Sequence, residues 1–200
     1  MYQRLPNWVL GFHGTDKETV NKILNDPKGH LKASENKFDW LGYGIYFWEN
    51  DPVRALEYSQ ERMRRNGITD QEPAVIGAVI DLGLCLNMFD QPALQELSLA
   101  HFDLKYDFEL FGIDLPTNKG GKDRLTRYLD CMVIQHLHSM RGVKDKATGK
   151  SLLPSYQTVR AGFHEGDEVY EGSGFLDKNH IQIAVRDQSC IKGYFLPRNQ

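Results

Sequence analysis

The segment over residues 41–50 constrains the fold of this chain more than any other. Two glycines, Gly42 and Gly44, flank a tyrosine, so the backbone can turn sharply there and approach a ligand without a Cβ in the way. Residues 45–48 are apolar or aromatic and favour a short strand. An Asn-Asp-Pro sequence follows, in which a capping side chain precedes a proline suited to the first helical position. The segment therefore predicts a glycine turn, a strand and a helix over residues 52–65.

A second junction between a strand and a helix lies upstream. Residues 8–12 read as a strand, and His13-Gly14-Thr15 follow it directly. The run Thr15-Asp16-Lys17-Glu18 has the spacing of a capping box, and apolar residues then recur on one helical face. We therefore predict a helix over residues 16–25.

The rest of the chain contains further predicted strands and two helical regions. Residues 74–81 form a continuous apolar run, typical of a strand covered on both faces, and a helical region begins near Asp90. The longest helix is predicted over residues 122–140. Its expected inward stripe is Leu125, Leu129, Met132, Val133, His136 and Leu137, and the remaining strands are expected over residues 155–163, 180–186 and 191–196. Because strands dominate, we predict an α+β fold in one domain spanning residues 1–200.

Composition excludes several classes of protein. A chain of 200 residues, 40% of them hydrophobic, can bury one core. The net charge of −3 argues against bulk electrostatic coating of nucleic acid, although basic clusters within residues 62–65, 119–127 and 141–146 would suit a local groove. The three cysteines lack metal-site spacing, and their odd number fits a reducing compartment. With no long apolar run and no signal-peptide pattern, we expect a cytoplasmic protein without a membrane partner or a metal site.

The two junctions together resemble the leading motifs of the ADP-ribosyltransferase superfamily, in the branch of the poly(ADP-ribose) polymerases and diphtheria toxin. In that family a strand ends in His-Gly-Ser/Thr, a Gly-x-Gly-Ile-Tyr-Phe segment follows, and a late strand carries a catalytic glutamate. The resemblance covers residues 8–60, 74–88 and 165–196. It implies a split mixed or antiparallel β-sheet core with flanking helices, and NAD as the co-substrate.

The resemblance also implies which residues bind NAD. The backbone of Gly14 would read the nicotinamide carboxamide, while His13 would hydrogen-bond the adenosine-side ribose with Thr15 nearby. Tyr46 matches the first tyrosine that stacks on nicotinamide. Tyr58 is the candidate for the second, one position from an ungapped alignment. Each such stack is worth roughly 0.5–2 kcal/mol.

The closing strand departs from the family pattern. Matching its valine and aspartate to the family's Glu-Tyr-Ile-Val-Tyr-Asp places Gln182 on the catalytic glutamate, whereas placing His180 there loses both matches. Glutamine can hydrogen-bond a ribose hydroxyl but can neither accept a proton nor supply negative charge. A base would come from Glu168 or Glu171 in the preceding acidic loop, unless that loop is only a solvated turn. The expected catalytic set is therefore Gln182, Tyr46, His13 and Glu171.

These features predict a mono-ADP-ribosyltransferase that cleaves NAD and transfers one ADP-ribose unit to a macromolecule. An RNA or DNA base is slightly favoured over a protein side chain, because reactive groups on unpaired bases need no strong base. Small single-domain transferases of this kind resemble toxins or phage-defence effectors, for which a neutralising antitoxin protein would be a partner. Two alternatives stay open: a catalytically silent module that binds NAD or ADP-ribose, and an NAD glycohydrolase that uses water as the acceptor.

Overall fold

The seven strands and four α-helices of this chain are assigned from a computed structural model, which describes residues 8–144, 146, 148–149, 151 and 153–198. The elements in chain order are β1 (Trp8–Asp16), α1 (Lys17–Asn25), β2 (Ile45–Glu49), α2 (Pro52–Arg65), β3 (Pro73–Asp81), β4 (Cys85–Asn87), α3 (Gln91–Leu110), α4 (Tyr128–Arg141), β5 (Thr158–Phe163), β6 (His180–Val185) and β7 (Ile191–Phe195).

All seven strands belong to one mixed sheet, in the order β4-β5-β6-β2-β1-β3-β7. The β4–β5 pair is parallel, and the other neighbouring pairs are antiparallel. The predicted α+β class is therefore confirmed. This order makes β1, β2 and β6, which carry the motifs singled out in the sequence, three neighbours at the centre of the sheet.

The ladder between β1 and β2 is the shortest in the sheet. The whole of β1, from Trp8 to Asp16, pairs with β3. Toward β2, however, the ladder contains only the pairs Gly11↔Glu49 and Phe12↔Trp48. The sheet thus consists of two groups of strands, β4-β5-β6-β2 and β1-β3-β7, that are joined over a short distance.

The two faces of the sheet are buried under different helices. On one face, Phe47 and Ile183 pack with Val20 and Ile23 of α1. The opposite face is covered in two places. Helices α3 and α4 cover Leu86, Val159 and Ala184, and α2 covers Phe12, Trp48 and Val75. Because adjacent residues of a strand point to opposite faces, Tyr46, Trp48 and Gln182 share the face under α2, α3 and α4.

The prediction of the longest helix over residues 122–140 is wrong. Helix α4 begins only at Tyr128, and α3 is longer, with 20 residues. Gly120 and Gly121 both have positive φ, and Lys119 pairs with Thr126, so this segment forms a tight turn. Consequently Leu125, which was assigned to the inward stripe, is 52% exposed.

The other predicted elements agree with the structure apart from their ends. β1 continues through Asp16 instead of ending near residue 12, and β5 begins at Thr158 instead of residue 155. Residues 1–7, judged unlike a signal peptide, lie outside the described residues. Within the described part of the chain, each helix is too short or too polar to cross a bilayer.

Candidate functional site

The candidate site begins where β1 and β2 diverge. The ladder between them stops at Phe12↔Trp48, and the His13 side chain then bridges the two strands. Its Nδ1 lies 2.7 Å from the carbonyl oxygen of Tyr46. Since a carbonyl can only accept, Nδ1 carries the proton and Nε2 is left as an acceptor. Burial lowers the pKa of His13, so the imidazole is neutral at neutral pH.

Gly14 and Thr15 lie against helix α2. A Cβ on Gly14 would overlap the carbonyl oxygen of Ala55, and the Ser59 hydroxyl donates to the carbonyl oxygen of Thr15 at 2.5 Å. The buried Thr15 hydroxyl donates in turn to the Asp16 carboxylate at 3.3 Å. The glycine that the resemblance assigns to the nicotinamide carboxamide is therefore also required for close packing of α2 on β1.

The two tyrosines share a side of the sheet but have different neighbours. The Tyr46 hydroxyl accepts from the Leu41 N–H at 2.9 Å and donates to the Gly42 carbonyl at 2.8 Å, which fixes the glycine turn. Burial raises the pKa of Tyr46 well above its usual value. The Tyr58 ring packs instead on Trp48, with centroids 4.8 Å apart. The structure therefore does not bring the two tyrosines together as a clamp, and Trp48 already covers part of Tyr58.

Gln182 lies in a row with Trp48 of β2 and Ala161 of β5. Its side-chain oxygen accepts a hydrogen bond of 2.7 Å from the Trp40 indole N–H. The His13 ring lies on the other face, against Phe47 at a centroid distance of 5.9 Å. Gln182 is thus on the same face of the sheet as Trp48 and Tyr58, while the His13 imidazole lies on the opposite face.

An aromatic cluster surrounds Gln182. The Trp40 ring meets Phe163 edge-on at 4.8 Å, and Phe163 stacks on His180 at 5.5 Å and 18°. His180 is in turn 6.0 Å from Trp48, which contacts Tyr58. We call these five residues the aromatic cluster. The Arg127 guanidinium lies 4.6 Å from the centroid of the Phe163 ring and covers the cluster from outside.

The acidic loop before β6 is held by a carboxylate that the sequence did not single out. Both oxygens of Glu165 lie 3.1 Å from an Nη of Arg54, whose side chain is buried in α2. Glu168 accepts from the Gly172 N–H at 2.8 Å within the loop. The side chain of Glu171 is exposed near the loop tip, and the structure gives no contact between it and Gln182. Among these carboxylates, Glu165 is the one that fixes the loop to the rest of the molecule.

A second grouping of titratable side chains lies on α3 and α4. The ligand atoms of Asp103, Asp107 and His136 are all within 4.8 Å of one another. A 2.8 Å hydrogen bond between His136 Nε2 and the Asp103 carboxylate accounts for the proximity of that pair. The neighbouring His138 is buried and lies on a different side of the helix.

Access to Gln182 is closed in this structure. Two surface depressions are lined by residues 23–30 with 191–194 and by residues 30–36 with 188, and neither borders Tyr46, Tyr58 or Gln182. Gln182 is only 9% exposed. The Gln182 side chain therefore offers little surface to a dinucleotide in this arrangement.

The residues that sequence reasoning missed here belong to no motif. Trp40 and Arg54 meet Gln182 and Glu165 only through tertiary contacts. The sequence does predict that Trp48 lies on the same face of β2 as Tyr46, because the two residues are two positions apart in a strand. Comparison of the chain with protein-family models, with curated proteins and with solved structures finds no match. The resemblance to ADP-ribosyltransferases accordingly rests on the sequence motifs.

Proposed function

We propose that this protein is an NAD-dependent mono-ADP-ribosyltransferase that acts in the cytoplasm on a macromolecule. The observation that supports this best is the placement of three motif segments on neighbouring strands, with the sheet dividing where His13 meets Tyr46. A divergence between strands leaves backbone donors and acceptors available to a ligand instead of to a ladder. Such groups suit the recognition of a carboxamide, the part of NAD that must be held as it departs.

The chemistry of the closing strand favours transfer of single units. Cleavage of the nicotinamide–ribose bond develops positive charge on the ribose, and the enzyme must position that ribose as the bond breaks. The amide of Gln182 can hydrogen-bond a ribose hydroxyl but cannot deprotonate one. In the polymerases that the motifs resemble, growth of a polymer uses a glutamate at the position of Gln182 to deprotonate a ribose hydroxyl on the previous unit. We therefore expect one ADP-ribose per acceptor site.

Labelled NAD and fractionated cell lysate test the proposal. NAD labelled in its adenylate phosphate should transfer label to a macromolecule while nicotinamide is released in equal amount. Digestion of the labelled fraction then identifies the acceptor, which we expect to be nucleic acid. Label that survives RNase and DNase but is removed by protease would contradict that expectation and leave the transferase activity standing.

A catalytically silent module for NAD or ADP-ribose is the second candidate. The observation that favours it is the closed aromatic cluster, in which Trp48 covers Tyr58 and Trp40 occupies the side-chain oxygen of Gln182. A silent module would bind NAD without releasing nicotinamide. An NAD glycohydrolase would release nicotinamide without labelling a macromolecule.

A role as a toxin or phage-defence effector, with a neutralising protein partner, extends the first proposal. Induced expression in a bacterial host should then slow growth, and Gln182→Ala should relieve the effect. Equal growth inhibition by the wild type and by Gln182→Ala would argue against catalysis as its cause.

A further inference from the structure

Two buried polar atoms in the aromatic cluster lack hydrogen-bond partners. They are Nε1 of Trp48 and Nε2 of His180, on side chains that belong to residues only 3% and 9% exposed. The two rings are 6.0 Å apart between centroids. An unpaired polar group in an interior destabilises the fold, so two of them in neighbouring residues call for an explanation.

The protonation of His180 is set by its other nitrogen. Nδ1 lies 2.7 Å from the carbonyl oxygen of Lys178 and must donate to it. Nε2 is then a bare acceptor, whereas the Trp48 indole nitrogen can only donate. A hydroxyl group complements this pair, because its oxygen accepts one hydrogen bond while its hydrogen is donated in another.

The surroundings keep His180 in its neutral form. Burial lowers the pKa of His180, and the charge of Arg54 acts in the same direction. The hydrogen bond to Lys178 and the carboxylates of Glu165 and Asp51 act the other way, with Glu165 at 3.9 Å from Nδ1. Phe163, stacked on the imidazole, holds the ring in place.

The pair is also correctly placed with respect to the proposed reaction. His180 and Gln182 are two residues apart on β6, so their side chains share a face of the sheet. Trp48 lies directly opposite Gln182 in the ladder between β2 and β6. A hydroxyl held by Trp48 and His180 would therefore be next to the ribose that Gln182 contacts.

We propose that Trp48 and His180 bind the attacking hydroxyl group of the acceptor, and that His180 takes the proton that Gln182 cannot accept. This inference rests on the proposed transferase function. In the step, the bond between the ribose C1′ and the nicotinamide nitrogen breaks, and its electron pair leaves with nicotinamide. The hydroxyl oxygen bonds to C1′, and its proton passes to Nε2 of His180. The Lys178 carbonyl stabilises the imidazolium that results.

A binding experiment tests the pair without turnover. In protein labelled with ¹⁵N at tryptophan and histidine, we expect the apo spectrum to show His180 protonated at Nδ1. Added ADP-ribose, whose C1′ carries a hydroxyl, should shift the Trp48 indole N–H and His180 Nε2 together. The exposed Trp8 and the partly buried His136 are the internal controls. Unchanged resonances of both cluster residues at saturating ADP-ribose would overturn the inference.

A kinetic experiment separates this inference from the proposed function. Single-turnover nicotinamide release should fall as the pH drops through the pKa of His180, which burial holds below its ordinary value, because protonated His180 is no longer an acceptor. His180→Gln should reduce the rate about 10²–10⁴-fold and abolish this acid limb. Trp48→Phe keeps the ring and removes the donor, so it should slow the reaction while retaining the limb. His136→Gln, on α4, should behave as the wild type.

The outcomes are distinct. A His180→Gln variant with the wild-type rate and acid limb overturns the role of His180 and leaves the transferase intact. A wild-type protein that releases no nicotinamide overturns both proposals. If His180→Gln melts far below the wild type, the resonance shifts in the unsubstituted protein decide the matter.

Discussion

The side chain of Gln182 accepts a hydrogen bond from Trp40, and this bond makes substitutions of Gln182 informative. Gln182→Ala leaves the Trp40 indole N–H without its partner, which should cost about 1–3 kcal/mol of stability. Under the proposed function, loss of the contact between Gln182 and the ribose should also lower the rate of NAD cleavage about 10²–10³-fold. Gln182→Glu keeps an acceptor for Trp40 and adds negative charge beside the developing cation. It should therefore cleave NAD at least as fast as the wild type.

Rates of nicotinamide release and product sizes on a gel check this prediction. A thermal melt of each variant separates misfolding from loss of chemistry. Full activity in Gln182→Ala, or ladders of polymer made by the wild type, would show that another residue occupies the catalytic position.

Because of its buried histidines, the protein should already lose stability at pH values above those at which carboxylates become protonated. Burial lowers the pKa of His13 and His180 and lowers that of His138 to about 3. Unfolded histidines take up protons below about pH 6.5, while the folded ones resist. The contribution of these histidines to stability is therefore fully present above pH 6.5, and it is lost as the pH falls toward the pKa of each folded histidine. Each such histidine contributes up to about 1.4 kcal/mol per pH unit.

The buried His138 allows a matched test. Both of its ring nitrogens lack partners, so His138→Leu should be close to neutral for stability at pH 7. The loss of stability between pH 6.5 and 5 should be smaller in this variant by about 1.4 kcal/mol per unit. Urea unfolding at several pH values measures the slope, with the exposed His164→Leu as the control for the substitution itself. An identical slope in His138→Leu and the wild type would contradict the assignment.

At the scale of elements, the packing of α2 on β1 depends on Gly14. The carbonyl oxygen of Ala55 occupies the space of a Cβ, so Gly14→Ala should force the helix outward and cost about 1–3 kcal/mol. Gly174→Ala is the matched control, because nothing lies within 4 Å of a Cβ there. Thermal melts of the two variants should differ by several degrees. A Gly14→Ala protein that melts with the control would mean that α2 adjusts freely.

The connection between α2 and the acidic loop is an ion pair between the buried Arg54 and the partly buried Glu165. Removal of one partner of a fully buried pair typically costs about 3–5 kcal/mol, and the partial exposure of Glu165 places this pair below that range. Arg54→Met should therefore release Glu165 and speed hydrogen exchange over residues 165–179. Lys17→Met, which breaks an exposed pair with Glu72, should cost less than about 1 kcal/mol and leave that exchange unchanged. Equal exchange in both variants would show that the loop is held by other contacts.

The sequence predicted elements well where capping residues and continuous apolar runs mark them, as for α1, α2, β3 and β6. It misplaced the start of α4, because the apolar period continues through Leu125 although the glycines before it break the helix. The sequence did not predict which side of α3 faces the core, because that helix carries apolar residues on two sides. At the site, the motifs predicted which strands matter. They could not show that Trp48 would cover Tyr58, because that contact joins a strand to a helix.

For the molecule as a whole, the outer side of α3 carries a row of exposed apolar side chains. The side chains of Leu99, Phe102, Tyr106 and Leu110 recur at helical spacing, and each residue is at least 60% exposed. Contiguous apolar stripes of this kind mark interaction surfaces. Replacing Phe102 and Leu110 with glutamine should therefore reduce binding of a hydrophobic dye and change stability by less than about 0.5 kcal/mol.

Dye fluorescence and urea unfolding measure these two effects. The control is Leu104→Gln on the buried side of the same helix, which should destabilise the protein by several kcal/mol. A large loss of stability in the double variant would indicate that the stripe is covered within the molecule.

The position of β6 beside β2 also sets the order in which the molecule acquires its chemistry during synthesis. Trp40 and Gln182 are hydrogen-bonded although 142 positions separate them in the chain. A nascent chain that already displays the glycine turn and both tyrosines has no β6 to pair with β2, and such distant pairing forms late. Ribosome-bound chains stalled before His180 should accordingly neither protect β2 from proteolysis nor cleave NAD. An enzyme able to consume the producing cell's NAD would thus be inert until translation has passed its closing strand.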